Sequence, residues 1–232
     1  MKQIVVLTGA GVSAESGLKT FRDSNGLWEG HDVMEVATPQ GFAKNPALVL
    51  EFYNQRRKQL LQVVPNAAHK ALVSLEEKYK VDIITQNVDD LHERAGSKNV
   101  IHLHGELLKA RSTKFNSDII PWSNDILVGD VCEMGYQMRP HIVWFGEAVP
   151  MMDKAIEITK KADILVIIGT SMQVYPAASL IDFVTEEVPI YFIDPKPSIS
   201  EQGNKQLISI PSSATEGVPK LVELLLTKEL KD

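Results

Sequence analysis

Residues 4–17 read Ile4-Val5-Val6-Leu7-Thr8-Gly9-Ala10-Gly11-Val12-Ser13-Ala14-Glu15-Ser16-Gly17, and this stretch decides the fold class. Four aliphatic residues in a row, apolar on both faces, suit a strand buried inside a parallel sheet. The glycines that follow place a sharp turn at the carboxyl end of that strand. Gly9, Gly11 and Ala14 fit the spacing G-x-G-x-x-G/A. Small residues there let the backbone approach a pyrophosphate, and the next helix opens toward the anion. A plain strand-to-helix turn accounts for the same glycines. The strand placed before them favours the nucleotide reading.

Working outward, similar apolar runs recur at Val81–Ile84, Ile142-Val143-Trp144, Ile164–Ile168, Ile190–Ile193 and Leu207–Ile210. Helical stripes lie between them. Ala68, Ala71, Leu72 and Leu75 follow a capping Asn66. Ala177, Leu180, Ile181 and Val184 follow Pro176, well placed for a first turn. Val218, Leu221, Val222 and Leu225 lie near the C-terminus. The alternation predicts an α/β fold, a parallel sheet with helices on both faces. Two stretches break it. Residues 31–65 hold a helical segment from Pro46 to about Leu61, capped by Asn45, and no clear strand. Residues 109–139 are polar and poorly periodic. Both read as insertions that together make a smaller module.

The chain has 232 residues, a net charge of −6 and 44% hydrophobic residues. That length buries a core without staples, and the charge balance argues against a nucleic-acid binder. The single cysteine, Cys132, excludes an internal disulfide and any metal site built from several cysteines. Met1–Thr8 carries no leader pattern, and no apolar run is long enough to cross a bilayer. The simplest reading is cytoplasmic, with no membrane partner.

Further polar clusters stand at or near strand ends: Thr85-Gln86-Asn87-Val88-Asp89, Ile101-His102-Leu103-His104-Gly105, and Gly169-Thr170-Ser171. In α/β folds this is where ligands bind. His102 and His104 point to the same side of an extended chain, yet no further donors complete a metal set. The usual second strand with a ribose-binding acid does not follow the glycine loop. Residues 17–28 instead read as a loop bearing Phe21, Arg22 and Trp28, either covering a ligand or tucked into the core.

Taken in order, the glycine loop with Thr20-Phe21-Arg22, the Thr85–Asp89 cluster, His104-Gly105, Val143-Trp144-Phe145-Gly146-Glu147 and Gly169-Thr170-Ser171 resemble the sirtuin family. The resemblance spans nearly the whole chain. It implies a Rossmann-like NAD-binding domain of residues 1–30, 67–108 and 140–232. Residues 31–66 and 109–139 would form the small domain. It further implies NAD as co-substrate, met by Gly9, Ala10, Gly11 and Ser13 at the phosphates. Glu15, Thr20, Phe21, Arg22 and Trp28 belong to the loop region over it. Gln86, Asn87 and Asp89 would hold the ribose and nicotinamide end. Gly169, Thr170, Ser171, Asp194 and Ala214 would serve the adenosine side.

The implied activity is NAD-dependent removal of acyl groups from lysines of proteins or peptides, with release of nicotinamide and O-acyl-ADP-ribose. His104 would be the general base that activates a ribose hydroxyl, since an imidazole titrates near working pH. A core histidine bonded to backbone is the competing account of His104 taken alone. Val143 to Glu147 would form the peptide wall, where an extended substrate adds as a strand, with Val143, Phe145 and Gly146 as the contacting residues. Tyr53 and Arg56, three apart on a helix, share a face. Their spacing resembles the pair in sirtuins that remove malonyl, succinyl or glutaryl groups, so acidic acyl chains are expected alongside acetyl. An Arg56 that snorkels to solvent beside a packed Tyr53 competes with this.

Two departures stand out. The paired zinc cysteines of most sirtuins are missing, so no zinc is expected. Phe192 stands two residues before Asp194, where the family often has Asn. Rival activities on the same residues are mono-ADP-ribosyl transfer, NAD or ADP-ribose sensing without catalysis, and a metal-dependent amidohydrolase.

Overall fold

The strand β1 (Gln3–Thr8) is buried at every position. In the computed structural model, which describes residues 1–19, 27–28, 30–115, 118–198 and 206–227, β1 lies inside a parallel sheet. The one-turn helix α1 (Gly11–Ala14) follows it. Strands β2 (Leu27–Trp28) and β3 (His31–Asp32) pair antiparallel and lead into α2 (Val33–Val36), α3 (Pro39–Lys44) and α4 (Pro46–Gln62). Side chains cap these helices. Asp32 accepts from the Met34 N–H, Thr38 from Gly41 and Asn45 from Leu48. Pro39 and Pro46 sit in first turns, where a missing N–H leaves no bond unmade.

Asn66 opens α5 (Ala67–Ser74) with a capping box closed by His69. Then come β4 (Lys80–Thr85), α6 (Leu91–Ala95), β5 (Val100–His102), β6 (Gly105–Ser112), β7 (Ile119–Pro121) and β8 (Met138–Ile142). The chain continues through α7 (Met152–Thr159), β9 (Ile164–Ile168), a 3-10 segment (Ala177–Phe183), β10 (Ile190–Ile193), β11 (Leu207–Ile210) and α8 (Ala214–Thr227).

Six strands make one parallel sheet in the order β11-β10-β9-β1-β4-β5. Alternate residues of β1 feed two cores. Ile4 and Val6 meet α5 and α8 through Leu72, Val218 and Leu221. Val5 and Leu7 meet Ala155 of α7 and Leu180 of the 3-10 segment. This is the two-sided burial expected of a parallel sheet in an α/β fold. The strand order reverses at β1: the next parallel strand, β4, pairs on one side and β9 on the other. Such a switch point opens a crevice beyond the carboxyl ends of the strands.

The smaller domain contains an antiparallel sheet of order β7-β6-β8, with a bulge between Glu106 and Ala110. Its central strand β6 begins at Gly105, paired with Ile142.

The structure departs from the sequence reading at several elements, among them the two-residue strand β3 in a stretch read as holding no clear strand. The run Ile142-Val143-Trp144 is not a buried parallel strand. Ile142 ends antiparallel β8, and Val143 and Trp144 lie beyond it. Trp144 is buried all the same, and apolar runs report burial before they report backbone shape. The stripe after Pro176 forms a 3-10 helix, with Pro176 just before it. A three-residue spacing is common to both helix types. No helix among the described residues is long and apolar enough to cross a membrane.

Candidate functional site

A cavity of about 510 Å³ opens at the carboxyl ends of β1, β4, β9 and β10. The six-stranded sheet supplies Gly9, Ala10, Gly11, Ser13, Gln86, Asn87, Asp89, Gly169, Thr170, Ser171 and Asp194 to its lining. The far wall comes from Trp28 of β2, from Tyr53 and Arg56 of α4, and from Val143, Phe145 and Gly146 in the turn after β8. His104 lies between the two groups, just before β6. Two residues expected here do not line the cavity. The Glu15 carboxylate accepts from the N–H and hydroxyl of Thr215, at 3.1 and 2.6 Å, and so ties the first turn of α8. Ala214, the first residue of α8, is buried in the core. Thr20, Phe21 and Arg22 lie outside the described residues.

The glycine loop is locked to the loop after β9. A Cβ on Gly11 would sit 2.6 Å from the Gly169 Cα, and one on Gly9 would sit 2.7 Å from the Gly169 carbonyl oxygen. The Gly9 N–H donates to the Ile168 carbonyl and the Gly11 N–H to the Gly169 carbonyl. These glycines therefore serve the contact between two loops as well as the cavity floor. The helix after them is a single turn, shorter than the fingerprint implies.

Asn87 is buried and tethered: its amide donates to the Gly9 carbonyl at 3.1 Å and to Ser13 Oγ at 3.2 Å. Its own N–H donates to Thr85 Oγ1. Gln86 Nε2 reaches Thr170 Oγ1 at 3.1 Å, bridging β4 to the β9 loop. Burial pushes the Asp89 pKa up, against the opposing bonds from the Leu91 N–H and Ser13. A carboxylate so placed gains from any hydroxyl donor a ligand offers it.

His104 Nδ1 lies 3.0 Å from the Gln86 carbonyl oxygen. A carbonyl only accepts, so Nδ1 carries the proton and Nε2 holds a lone pair. Burial lowers the His104 pKa, and the Gln86 bond offsets this only in part. A neutral imidazole with a basic Nε2 is therefore the resting form, and it can take a proton from a hydroxyl in the cavity.

The opposite end of the cavity is aromatic. Trp28, Phe52 and Tyr53 pack edge to face, and the Arg56 guanidinium lies 4.3 Å over the Trp28 ring. Trp144 Nε1 donates to the Tyr53 hydroxyl at 2.9 Å. Burial pushes the Tyr53 pKa far up, outweighing the Trp144 bond, so the phenol keeps its hydrogen. With its oxygen already accepting, Tyr53 can offer that hydrogen to another acceptor.

Trp144 and Glu147 belong to the Val143–Glu147 wall expected from the sequence, which gives neither an individual role. Glu147 accepts the Trp144 N–H at 2.8 Å and a two-pronged contact from Arg139 at 2.7 and 3.0 Å. Arg111 adds a longer contact at 3.3 Å, and the Arg139 guanidinium lies 3.3 Å over the Trp144 ring. Trp144 and Glu147 were visible as part of Val143–Glu147. Arg111 and Arg139 fall in the aperiodic stretch, which carried no signal for them.

Cys132 Sγ lies 3.6 Å from Ser112 Oγ, and no group of three His, Cys, Asp or Glu among the described residues converges on a metal position. Polar contacts to α4 tie the sheet. Asn54 on α4 exchanges two hydrogen bonds with the Ile126 backbone, at 2.8 and 3.0 Å, and accepts from Arg57 at 2.9 Å. Leu50, Ala110, Ile126 and Met138 form a small core beside it.

Comparison with known proteins adds the following. A model of the Sir2 family matches residues 9–176. The chain is 56% identical over 227 residues to an NAD-dependent protein deacylase of Helicobacter pylori, covering 97% of this chain and 99% of that one. It superposes on a Sir2 homolog in complex with NAD at a TM-score of 0.87, with 39% identity, 97% of this chain and 90% of that chain. A Sir2 homologue variant in complex with 2'-O-acetyl ADP ribose gives 0.87 and 38%, over 99% and 95% of the two chains.

Proposed function

The chain belongs to the Sir2 family, and from this we propose that His104 is the general base of its reaction and that its acyl pocket accepts groups ending in a carboxylate. The protein is an NAD-dependent protein deacylase. It transfers the acyl group of a modified lysine to ADP-ribose and releases nicotinamide. When bound, NAD supplies the leaving group and the accepting ribose. The cavity suits it, with polar side chains spread along one sheet edge from Asn87 and Asp89 to Thr170, Ser171 and Asp194.

One observation carries the catalytic assignment. His104 spends its Nδ1 proton on the Gln86 carbonyl and lies on the same cavity as Asn87, Asp89 and the Tyr53–Arg56 pair. In this reading Gly9, Ala10, Gly11 and Ser13 face the phosphates. Gln86, Asn87 and Asp89 position the nicotinamide ribose. Gly169, Thr170, Ser171 and Asp194 take the adenosine side. Val143, Phe145 and Gly146 pair with the peptide. Residues 1–30, 67–108 and 140–232 then act as the nucleotide domain, and the two insertions as its cover.

The acyl preference rests on charge. A guanidinium and a protonated phenol on one wall of an apolar cavity can hold a carboxylate by charge-assisted bonds. An acetyl group fills less of the same pocket and gains neither bond.

Purified protein is incubated with succinyl-lysine and acetyl-lysine peptides, with and without NAD, and products are followed by mass spectrometry. Nicotinamide and O-acyl-ADP-ribose form only with NAD, faster from the succinyl peptide. Arg56→Met lowers the succinyl-to-acetyl ratio of kcat/KM by about tenfold, the scale of a lost charge-assisted bond. Unchanged succinyl turnover in that variant removes the carboxylate assignment. Loss of catalysis in His104→Ala, with folding intact, tests the base.

A further inference from the structure

His102 stands two residues before His104 and lines no part of the cavity, yet its contacts are more constrained. Its Nδ1 lies 3.0 Å from the Asn87 carbonyl oxygen, and its Nε2 lies 2.7 Å from Glu93 Oε1. The carbonyl can only accept, so Nδ1 bears a hydrogen. The carboxylate, when ionised, can only accept, so Nε2 bears one as well. An imidazole with two N–H groups is a cation. The His102 side chain is 7% exposed, so that charge is held inside the protein.

We propose that His102 is a cationic positioning residue, whose imidazolium bridges the Asn87 carbonyl and the Glu93 carboxylate and so fixes the Asn87–Asp89 turn against His104. The inference rests on the reading of His104 and Asn87 given above. Two alternate histidines of one extended segment hold two successive carbonyls: His104 holds Gln86 and His102 holds Asn87. Their free edges differ. His104 lines the cavity, and burial keeps it neutral. His102 turns its second nitrogen to a carboxylate and stays charged. The same scaffold thereby sets one base and one clamp.

The surrounding charges favour this state. Glu93 faces His102 from α6, Asp89 from the turn and Glu106 from β6. His92 on α6 is held neutral by burial, and Lys109 faces Glu93 from β6. Burial pulls the His102 pKa down, but the bond and charge of Glu93 outweigh it, leaving it above the ordinary 6.5. Glu93 itself lies below its ordinary value, because the His102 bond and charge outweigh its burial, so it is ionised at neutral pH. A raised histidine pKa means the clamp is complete in acid and is lost as pH rises through the shifted value. Catalysis then has two limbs: an acid one from His104, below 6.5, and an alkaline one from His102, above it.

The test uses the full chain with 15N-labelled histidine. Long-range proton–nitrogen correlation spectra at pH 7, assigned with His102→Gln, should show two protonated ring nitrogens at His102 and one at His104. A neutral His102 overturns the proposal. In His102→Gln, which keeps one donor but cannot ionise, kcat/KM for NAD should fall about tenfold, the scale of one bond to a charged group. Its alkaline limb should vanish. In Glu93→Gln that limb should move to lower pH. An alkaline limb unchanged in both variants overturns the proposal, and Glu93→Gln with the wild-type spectrum decides it should His102→Gln fail to fold. Retained activity in Asn87→Ala would sink the reading of the site instead, and the spectra would still report on His102.

Discussion

The six-stranded sheet and the three-stranded sheet are held by different forces. The first buries every residue of β1, β9 and β10 between two apolar layers. Any of many aliphatic residues would serve there, and no single contact dominates. The second is small, lacks a second apolar layer of that extent, and is fixed by a few directional groups: Glu147 under two arginines, and Asn54 bonded to the Ile126 backbone. A diffuse core tolerates the loss of one member. A polar knot does not, since each lost partner strands a buried group.

The comparison can be broken by experiment. The largest effect belongs where the two regions meet: His104→Ala should slow deacylation by about 10²–10⁴-fold while the unfolding curve stays put. A parallel loss of stability would mean that His104 is a strut between the sheets and not the base. Next, Glu147→Ala leaves Arg111 and Arg139 without their carboxylate, and should cost about 3–5 kcal/mol in urea unfolding. Asn54→Ala should cost about 1–3 kcal/mol by the same measurement. Ile167→Val in the large sheet should cost only about 0.5–1.5 kcal/mol. If Ile167→Val proves as damaging as Glu147→Ala, the division of forces is wrong.

Acid sharpens the contrast. The Glu147 pKa is lowered, because the bonds from Arg139 and the Trp144 N–H and the two arginine charges outweigh its burial. A carboxylate with a lowered value stabilises the fold above its ordinary 4.5 and loses that contribution as pH falls through the shifted value. The gap in Tm between wild type and Glu147→Gln should therefore narrow in acid. A gap that stays constant down to about pH 3 would show that ionisation of Glu147 contributes nothing.

The same contrast explains what the sequence disclosed. The large sheet was legible because burial on two faces writes continuous aliphatic runs, and each strand of it except β5 was marked by one. β5 is three residues long and ends in His102, so its run is too short to stand out. The crevice followed from polar residues after those runs. The three-stranded sheet was illegible because β6 alternates weakly and carries a bulge, and β7 has three exposed residues. Its ties follow no local period: Asn54 to Ile126 and Arg111 to Glu147 join residues far apart in the chain, and Arg139 to Glu147 spans a turn eight residues on. The tie of Glu15 to α8 was hidden for a related reason. Its partner, Thr215, lies 200 residues on, and nothing near Glu15 announces it.

The interlocked loops after β1 and β9 carry a consequence for solvent deuterium. The Gly9 and Gly11 amides already donate to the Ile168 and Gly169 carbonyls. Their protons are shielded before any nucleotide arrives, and they trade with solvent only when the two strands part. An exchange experiment on this loop therefore times the opening of the sheet, and a nucleotide that merely fills the crevice leaves that clock running at the same rate unless it also holds the strands together.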